Sequence, residues 1–201
     1  KMFKIYKIEK NLTKVNNIFP IKTCNKILQI FKNEKKWKNI SQIKKKHYSH
    51  VFKSNSKLMP DKTETYIAKF FRSENLKNNL FINNSIEKYI KPILKKLKIE
   101  YKYLDVRCHK FIKGNLLRAH IDNYAASHTI TINLNKKWKA DWGGLLCVLT
   151  GKKNEKISTL CPDWNSLNIV KSDKKEKSPH FVTNIESYAK EPRFSITIFI
   201  M

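Results

Sequence analysis

Between residues 101 and 201 the sequence breaks into short stretches of alternating apolar and polar residues separated by turn formers. That period of two admits β-strands and little else. In RFSITIFI, Arg193, Ser195, Thr197 and Phe199 take one side, while Phe194, Ile196, Ile198 and Ile200 take the other. SHTITINLN repeats the pattern, with Thr129, Thr131 and Asn133 opposite Ile130, Ile132 and Leu134. YKYLDVRCHKFI, LLRAHID, GGLLCVLT, KISTL, SLNIV and PHFVTNI complete a set of short strands at regular spacing, the signature of an antiparallel sandwich or barrel.

The first hundred residues read as mixed and partly helical. FKIYKI alternates like a strand, and PIKTCNKILQIFKN follows with Ile21, Ile27, Leu28 and Phe31 at helical spacing. Residues 35–60 are polar and lysine-heavy, a loop with short helix anchored by Trp37, Tyr48 and Phe52. A second helix is predicted over 85–97, with Ile86, Ile90, Ile93, Leu94 and Leu97 on one face, Ser85 as its cap and a kink at Pro92. A chain of 201 residues suits one domain. The expectation is an α+β fold over residues 1–201, in which a mixed helical region (1–100) supports a β-core (101–201).

The formal net charge is +26, and all basic residues except Arg72, Arg107, Arg118 and Arg193 are lysine. Clustered lysines bind nucleic acid by releasing counterions from phosphate. Here they are spread along the chain, and Lys, Asn and Ile all have A/T-rich codons, so the charge reads as compositional, with nucleic acid as the disfavoured alternative. Cys24, Cys108, Cys147 and Cys161 fall in no paired spacing and are read as reduced thiols. No apolar run approaches the ~18 residues of a membrane span, and the first residues lack the apolar stretch of a secretory signal, so a cytoplasmic location is expected.

Three side chains carry the chemistry. His120 and Asp122 are one residue apart, and on a strand positions i and i+2 project to one face, so both reach one point. His180, 58 residues beyond Asp122, supplies a second imidazole. Two histidines and a carboxylate form the facial triad of non-haem Fe(II) oxygenases. The other histidines, His47, His50, His109 and His128, lack such a partner pattern. Arg193, 13 residues after His180, opens a strand that reads as buried, and a buried guanidinium requires an anion. A dicarboxylate's far end would satisfy it, with Ser195 adding a hydrogen bond.

The order HxD, His, RxS resembles the 2-oxoglutarate/Fe(II)-dependent dioxygenase superfamily, and within it the prolyl hydroxylase-like branch. The resemblance rests on KGNLLRAHIDN, TINLNKKWKADWGGLL, SPHFV and EPRFSITIFI, about half the chain. It implies a double-stranded β-helix (a jelly-roll, cupin-like core). It also implies Fe(II) on His120, Asp122 and His180, and the 2-oxoglutarate C5 carboxylate on Arg193 and Ser195. Thr131 and Asn133 become candidate cosubstrate contacts. Gly143 and Gly144 match the family's turn into the next strand, and Trp138 matches a common aromatic position. Asn133 and Phe111 stand where tyrosines are common. The implied reaction uses Fe(II), 2-oxoglutarate and O2, with ascorbate as a reductant, and hydroxylates a prolyl residue or a free amino acid, releasing succinate and CO2. A carboxylate at Asp122 favours hydroxylation over halogenation. Arg107, His109 and Phe111 alternate on one strand and, with Phe199, are candidate substrate contacts; the competing reading is a polar surface ladder. Two rival functions stand beside this one. An alkylation-repair-type nucleic-acid demethylase would carry a second arginine where this chain has Phe199. A non-catalytic β-barrel would use the same ligands to hold another metal such as Zn2+ or Mn2+.

Overall fold

A computed structural model of the chain describes residues 3–44, 56–60, 66–122, 126–172 and 178–201. Tyr48, Phe52, His47 and His50 lie outside the described residues. The elements run β1 (Lys4–Glu9), β2 (Leu12–Asn16), α1 (Ile21–Asn33), β3 (Lys38–Lys44), β4 (Tyr66–Ser73), α2 (Glu74–Lys77), α3 (Leu80–Lys96), β5 (Leu104–Phe111) and β6 (Leu116–His120). They continue with β7 (His128–Asn133), a 3-10 turn (Ala140–Trp142), β8 (Leu146–Thr150), β9 (Lys156–Leu160), β10 (Ser166–Lys171), β11 (His180–Val182) and β12 (Arg193–Ile200). Every strand pairing is antiparallel, and the curled sheet runs β1-β2-β10-β7-β12-β5-β4-β6-β11-β8-β9, with β3 flanking β4. This is the jelly-roll-like arrangement that the period-two pattern implies.

The alternation of β7 and β12 divides the sheet into an oily and a polar face. Ile130, Ile132, Phe194, Ile196, Ile198 and Ile200 pack against Ile27, Phe31, Ile86, Ile90, Ile93 and Leu94 of α1 and α3 in one core. Phe31 meets Phe194 edge-on at 5.8 Å, and Trp37 stacks on Phe194 at 6.1 Å. The opposite face is built of register rows. Lys38, Arg72, His109, Ser195, Asn133 and Ser166 form one, and Arg107, Thr197, Thr131 and Asn168 the next. Asp105, Phe199, Thr129 and Val170 form a third.

The N-terminal hundred residues do more than support a core with helices, because β1 to β4 join the same sheet as the later strands. β2 pairs β10, and β4 pairs β5 and β6, so residue 100 is no structural boundary. β2 and β4 escaped the sequence reading for a physical reason. Leu12 and Val15 point to opposite faces and are both buried, so the strand lacks a period of two. Residues 38–44, read as loop, are a strand opposite β4.

The helices also shift from expectation. Ile21 is 56% exposed, and the buried stripe of α1 is Cys24, Ile27, Leu28 and Phe31, whose spacing is that of one helical face. α3 begins a turn and a half before Ser85. Asn79 Oδ1 accepts from Ile82 N at 3.1 Å as the cap, while buried Ser85 donates its hydroxyl to Phe81 O at 2.7 Å. Pro92 lies inside the helix, which runs on to Lys96. All four cysteines are free, and burial pushes the Cys24 and Cys108 thiols up to about 12.

The cap assignment is testable. Asn79→Ala should cost about 1 kcal/mol in urea unfolding through a lost helix cap. Ser85→Ala should cost under about 0.5 kcal/mol, because a hydroxyl turned back on its own helix contributes little. Equal losses would contradict the cap at Asn79.

Candidate metal centre and cosubstrate cavity

His120 ends β6, and Asp122 lies just past that strand rather than on it. His180 opens β11 and is the register partner of His120. The neighbouring pairing brings the imidazole centroids to 4.4 Å. Asp122 reaches both rings, with Oδ1 3.5 Å from His120 Nε2 and Oδ2 3.4 Å from His180 Nε2. One ligand atom from each residue lies within 4.8 Å of the others, and all three side chains are buried.

The protons of the rings are fixed by the backbone. His120 Nδ1 lies 2.8 Å from Arg118 O, and His180 Nδ1 lies 3.0 Å from Ser178 O. A carbonyl oxygen only accepts, so each Nδ1 carries the hydrogen and each Nε2 presents its lone pair. Thr129, on the inward face of β7, donates to Asp122 Oδ2 at 2.6 Å and holds the carboxylate toward the rings. Burial works to raise the Asp122 carboxyl. His180, His120 and the Thr129 hydroxyl outweigh it and hold the group well below the usual carboxylate range. Burial also keeps His180 below its ordinary value, against the pull of Asp122 and with help from His120. Buried lone-pair donors converging this closely suit a divalent cation, and the two-His, one-carboxylate set suits Fe(II).

The triad lines a cavity of about 670 Å³. At its inner end lies Arg193, 1% exposed, on β12. Its Nη1 donates to Ser195 Oγ at 3.4 Å and its Nη2 to Asn133 Oδ1 at 3.5 Å, both long contacts to neutral groups. Its buried Nε has no partner, and no carboxylate pairs with it among the described residues. Burial lowers its pKa to about 10. The glycine pair makes room for it. At Gly144 (φ +63°) an added Cβ would come within 2.9 Å of Arg193 Cδ and 2.5 Å of Ile185 Cδ1. Gly143 (φ +71°) accepts from Trp138 Nε1 at 2.9 Å through its carbonyl.

The other candidate residues divide between cavity and support. Thr131 and Ser195 line the cavity. Asn133 does not; it is fully buried, donating to Ser166 Oγ at 3.1 Å and accepting from Arg193. Phe111 lies under the Arg193 guanidinium at 5.4 Å and stacks with Phe70 at 5.6 Å. Arg107 and Phe199 meet, guanidinium over ring, at 4.4 Å. His109 Nδ1 contacts Thr197 Oγ1 at 3.1 Å. Burial, then Arg107, Arg72 and Arg193, lower His109 to about 3, so it is neutral. Lys38, Tyr66, Phe70 and Arg72 also line the cavity and were not singled out in the sequence. They sit on β3 and β4, the strands whose patterns were unreadable. Thr129 was legible as inward-facing, though nothing in the sequence tied it to Asp122.

Residues 106–201 match the family model of the 2OG-Fe(II) oxygenase superfamily. No curated protein has significant sequence similarity to the chain. Among solved structures, a prolyl-4-hydroxylase from Pseudomonas putida aligns over 94% of this chain and 91% of its own, with a TM-score of 0.61 and 11% identity. A Trichoplax adhaerens prolyl hydroxylase, solved with a hypoxia inducible factor oxygen degradation domain peptide, aligns over 96% and 84%, with a TM-score of 0.64 and 16% identity. A viral collagen prolyl hydroxylase from Paramecium Bursaria Chlorella virus-1, in complex with 2OG, aligns over 95% and 96%, with a TM-score of 0.55 and 13% identity. Fold and site together define an enzyme that uses Fe(II), 2-oxoglutarate and O2. The matched segment, residues 106–201, holds His120, Asp122, His180 and Arg193 together.

Two outcomes follow from these contacts. Gly144→Ala should destabilise the fold, because the added methyl meets Ile185 Cδ1 and Arg193 Cδ, read by urea unfolding; unchanged stability would contradict the packing described. His109 has a folded value (about 3) below its unfolded value of 6.5, so the unfolded chain binds the extra proton. Its contribution to stability is full above pH 6.5 and is lost as pH falls toward 3. In urea melts at pH 7 and pH 5, His109→Gln should lose less stability on acidification than wild type; an equal loss would show that the imidazole is not the buried neutral group.

Proposed function

We propose that the chain hydroxylates an unactivated C–H bond of a prolyl residue or a free amino acid, with His120, Asp122 and His180 holding Fe(II) and Arg193 holding 2-oxoglutarate. The observation that carries this reading is Arg193, a buried guanidinium with an unused N–H and no carboxylate partner among the described residues, in the same cavity as the His-Asp-His cluster. A dicarboxylate with one end on Arg193 and the other toward the triad would supply the missing anion.

When bound, Fe(II) supplies the oxidising chemistry by which one C–H, one 2-oxoglutarate and one O2 become C–OH, succinate and CO2. The chain's residues do the rest. Arg118 O and Ser178 O keep the imidazole lone pairs facing inward, and Thr129 aims the carboxylate. Ser195 and Asn133 hold the Arg193 fork, while Phe111 and Phe70 wall its end of the cavity against water. Thr131 faces the cavity and is positioned to touch the cosubstrate. A peptide or amino-acid substrate is supported by the prolyl hydroxylases among the structural neighbours, one of them solved with a peptide. A nucleic-acid substrate is disfavoured because Phe199 occupies the place of a second arginine. No helix among the described residues is long and apolar enough to cross a membrane. Four free thiols fit a reducing, cytoplasmic setting.

Anaerobic addition of Fe(II) and 2-oxoglutarate should produce a weak metal-to-ligand charge-transfer band in wild type, absent in His180→Ala. Arg193→Gln should raise the 2-oxoglutarate concentration needed for half the band by roughly 10- to 150-fold, the value of charge-assisted hydrogen bonds. A wild-type protein that never shows the band sinks this reading.

A further inference from the structure

Four permanent cations, Lys38, Arg72, Arg107 and Arg193, and two carboxylates, Asp105 and Asp122, line the catalytic cavity. Fe(II) and the 2-oxoglutarate dianion cancel one another, so the loaded cavity keeps an excess of two positive charges. Arg193 is consumed by the cosubstrate in the reading above. The remaining three cations share one wall, around His109. Lys38 pairs Arg72, Arg72 pairs His109, and Arg107 follows in the next inward row. Two of them suppress protonation of that imidazole, so their field is felt inside the cavity.

Arg107 is built as a fixed arm. Its guanidinium lies 4.4 Å over the Phe199 ring. Both Nε (3.0 Å) and Nη2 (2.7 Å) donate to the same oxygen, Asp105 Oδ2, and Lys77 Nζ lies 3.5 Å from Asp105 Oδ1. Nη1 keeps no protein partner among the described residues. A side chain ordered in advance loses little entropy on gripping a ligand. Arg72 reinforces it. Its Nε lies 2.9 Å from Glu74 Oε1 yet is not aligned to donate to it, leaving a buried N–H without an acceptor. Arg107 shares its row with Thr131 two strand spacings away, roughly 10 Å, a gap that an amino-acid-sized molecule bridges.

We infer that Arg107, seconded by Arg72 and Lys38, is a specificity subsite for a carboxylate on the substrate. The inference rests on the hydroxylase reading, whose substrates carry their negative charge as carboxylates. The carboxylate has two sources: the substrate amino acid itself, or an acidic side chain beside the target residue in a peptide.

The test uses the full chain loaded with Fe(II) and 2-oxoglutarate, reading succinate released above the substrate-free rate. The probes are matched pairs: each free L-amino acid against its carboxamide, and blocked prolyl peptides with Glu against Gln beside the proline. Acids should act at a KM at least about tenfold below their amides. Arg107→Gln should raise the KM for acids roughly 10- to 150-fold with a much smaller change in kcat and erase the preference over amides. Arg107→Lys should recover part of it, since the charge returns without the planar fork. A melting temperature equal to that of wild type in both variants separates this from misfolding; if Arg107→Gln fails to fold, Lys38→Gln and Arg107→Lys must each reduce the preference for acids. A response to free acids alone identifies the amino acid as the source, and a response to Glu peptides alone identifies the neighbouring side chain. Equal use of acids and amides, no stimulation by any acid, or an Arg107→Gln protein with unchanged KM overturns the inference. If the charge-transfer band persists in that case, the oxygenase reading survives; if the band is absent in wild type, both fall.

Discussion

Everything in this protein depends on a sheet whose two faces live in different media. β7 and β12 send isoleucine and phenylalanine to the helices and threonine, serine, asparagine and arginine to the other side. Burying the apolar face supplies the main driving force, at about 25 cal/mol per Å² removed from water. The same alternation leaves no choice about the opposite face: once Phe194 and Ile196 enter the core, Arg193 and Ser195 must point into the cavity. The site is thus a by-product of core packing, held rigid by it. A one-residue slip would move the guanidinium into oil.

What could be read from residues alone follows the same division. Strands with one oily and one polar face announce themselves, which is why β12 coincides with RFSITIFI. Strands covered on both sides do not. β2 hides because Leu12 and Val15 are buried on opposite faces. β4 hides because Tyr66 and Ala68 face the cavity while Phe71 fills the other side beneath the Lys110 ammonium. The metal ligands were legible from identity and order, and the structure brings them within reach of one ion. The cavity's cationic wall was only partly legible. Arg107 belongs to a readable strand, but its neighbours Arg72 and Lys38 arrive from strands without a pattern. Helix α3 shows the other way in which local reading fails. Ser85 looks like a cap, but Leu80 to Asn84 continue the helix past it, and a serine inside a helix simply turns its hydroxyl to the carbonyl a turn behind.

The electrostatics of the cavity are set by what faces each buried group. Asp122 is buried yet stays ionised because two imidazoles and a hydroxyl surround it. His109 stays neutral because burial disfavours the imidazolium, and the Arg107, Arg72 and Arg193 guanidiniums add to that. Arg193 is the least compensated, a buried guanidinium whose Nε hydrogen has no acceptor. Backbone carbonyls, which cannot titrate, fix the ring protons of the ligands.

The place of β12 has a consequence for how such a chain is made. It follows the eleven other strands in sequence, yet it lies between β5 and β7 in the middle of the sheet. On the ribosome, the earlier strands emerge and wait with a gap at their centre, and the isoleucine wedge that joins them comes last. The arginine at its start and the core-filling side chains behind it are delivered together. A nascent chain therefore brings Arg193 to the cavity only together with the strand that closes the apolar face.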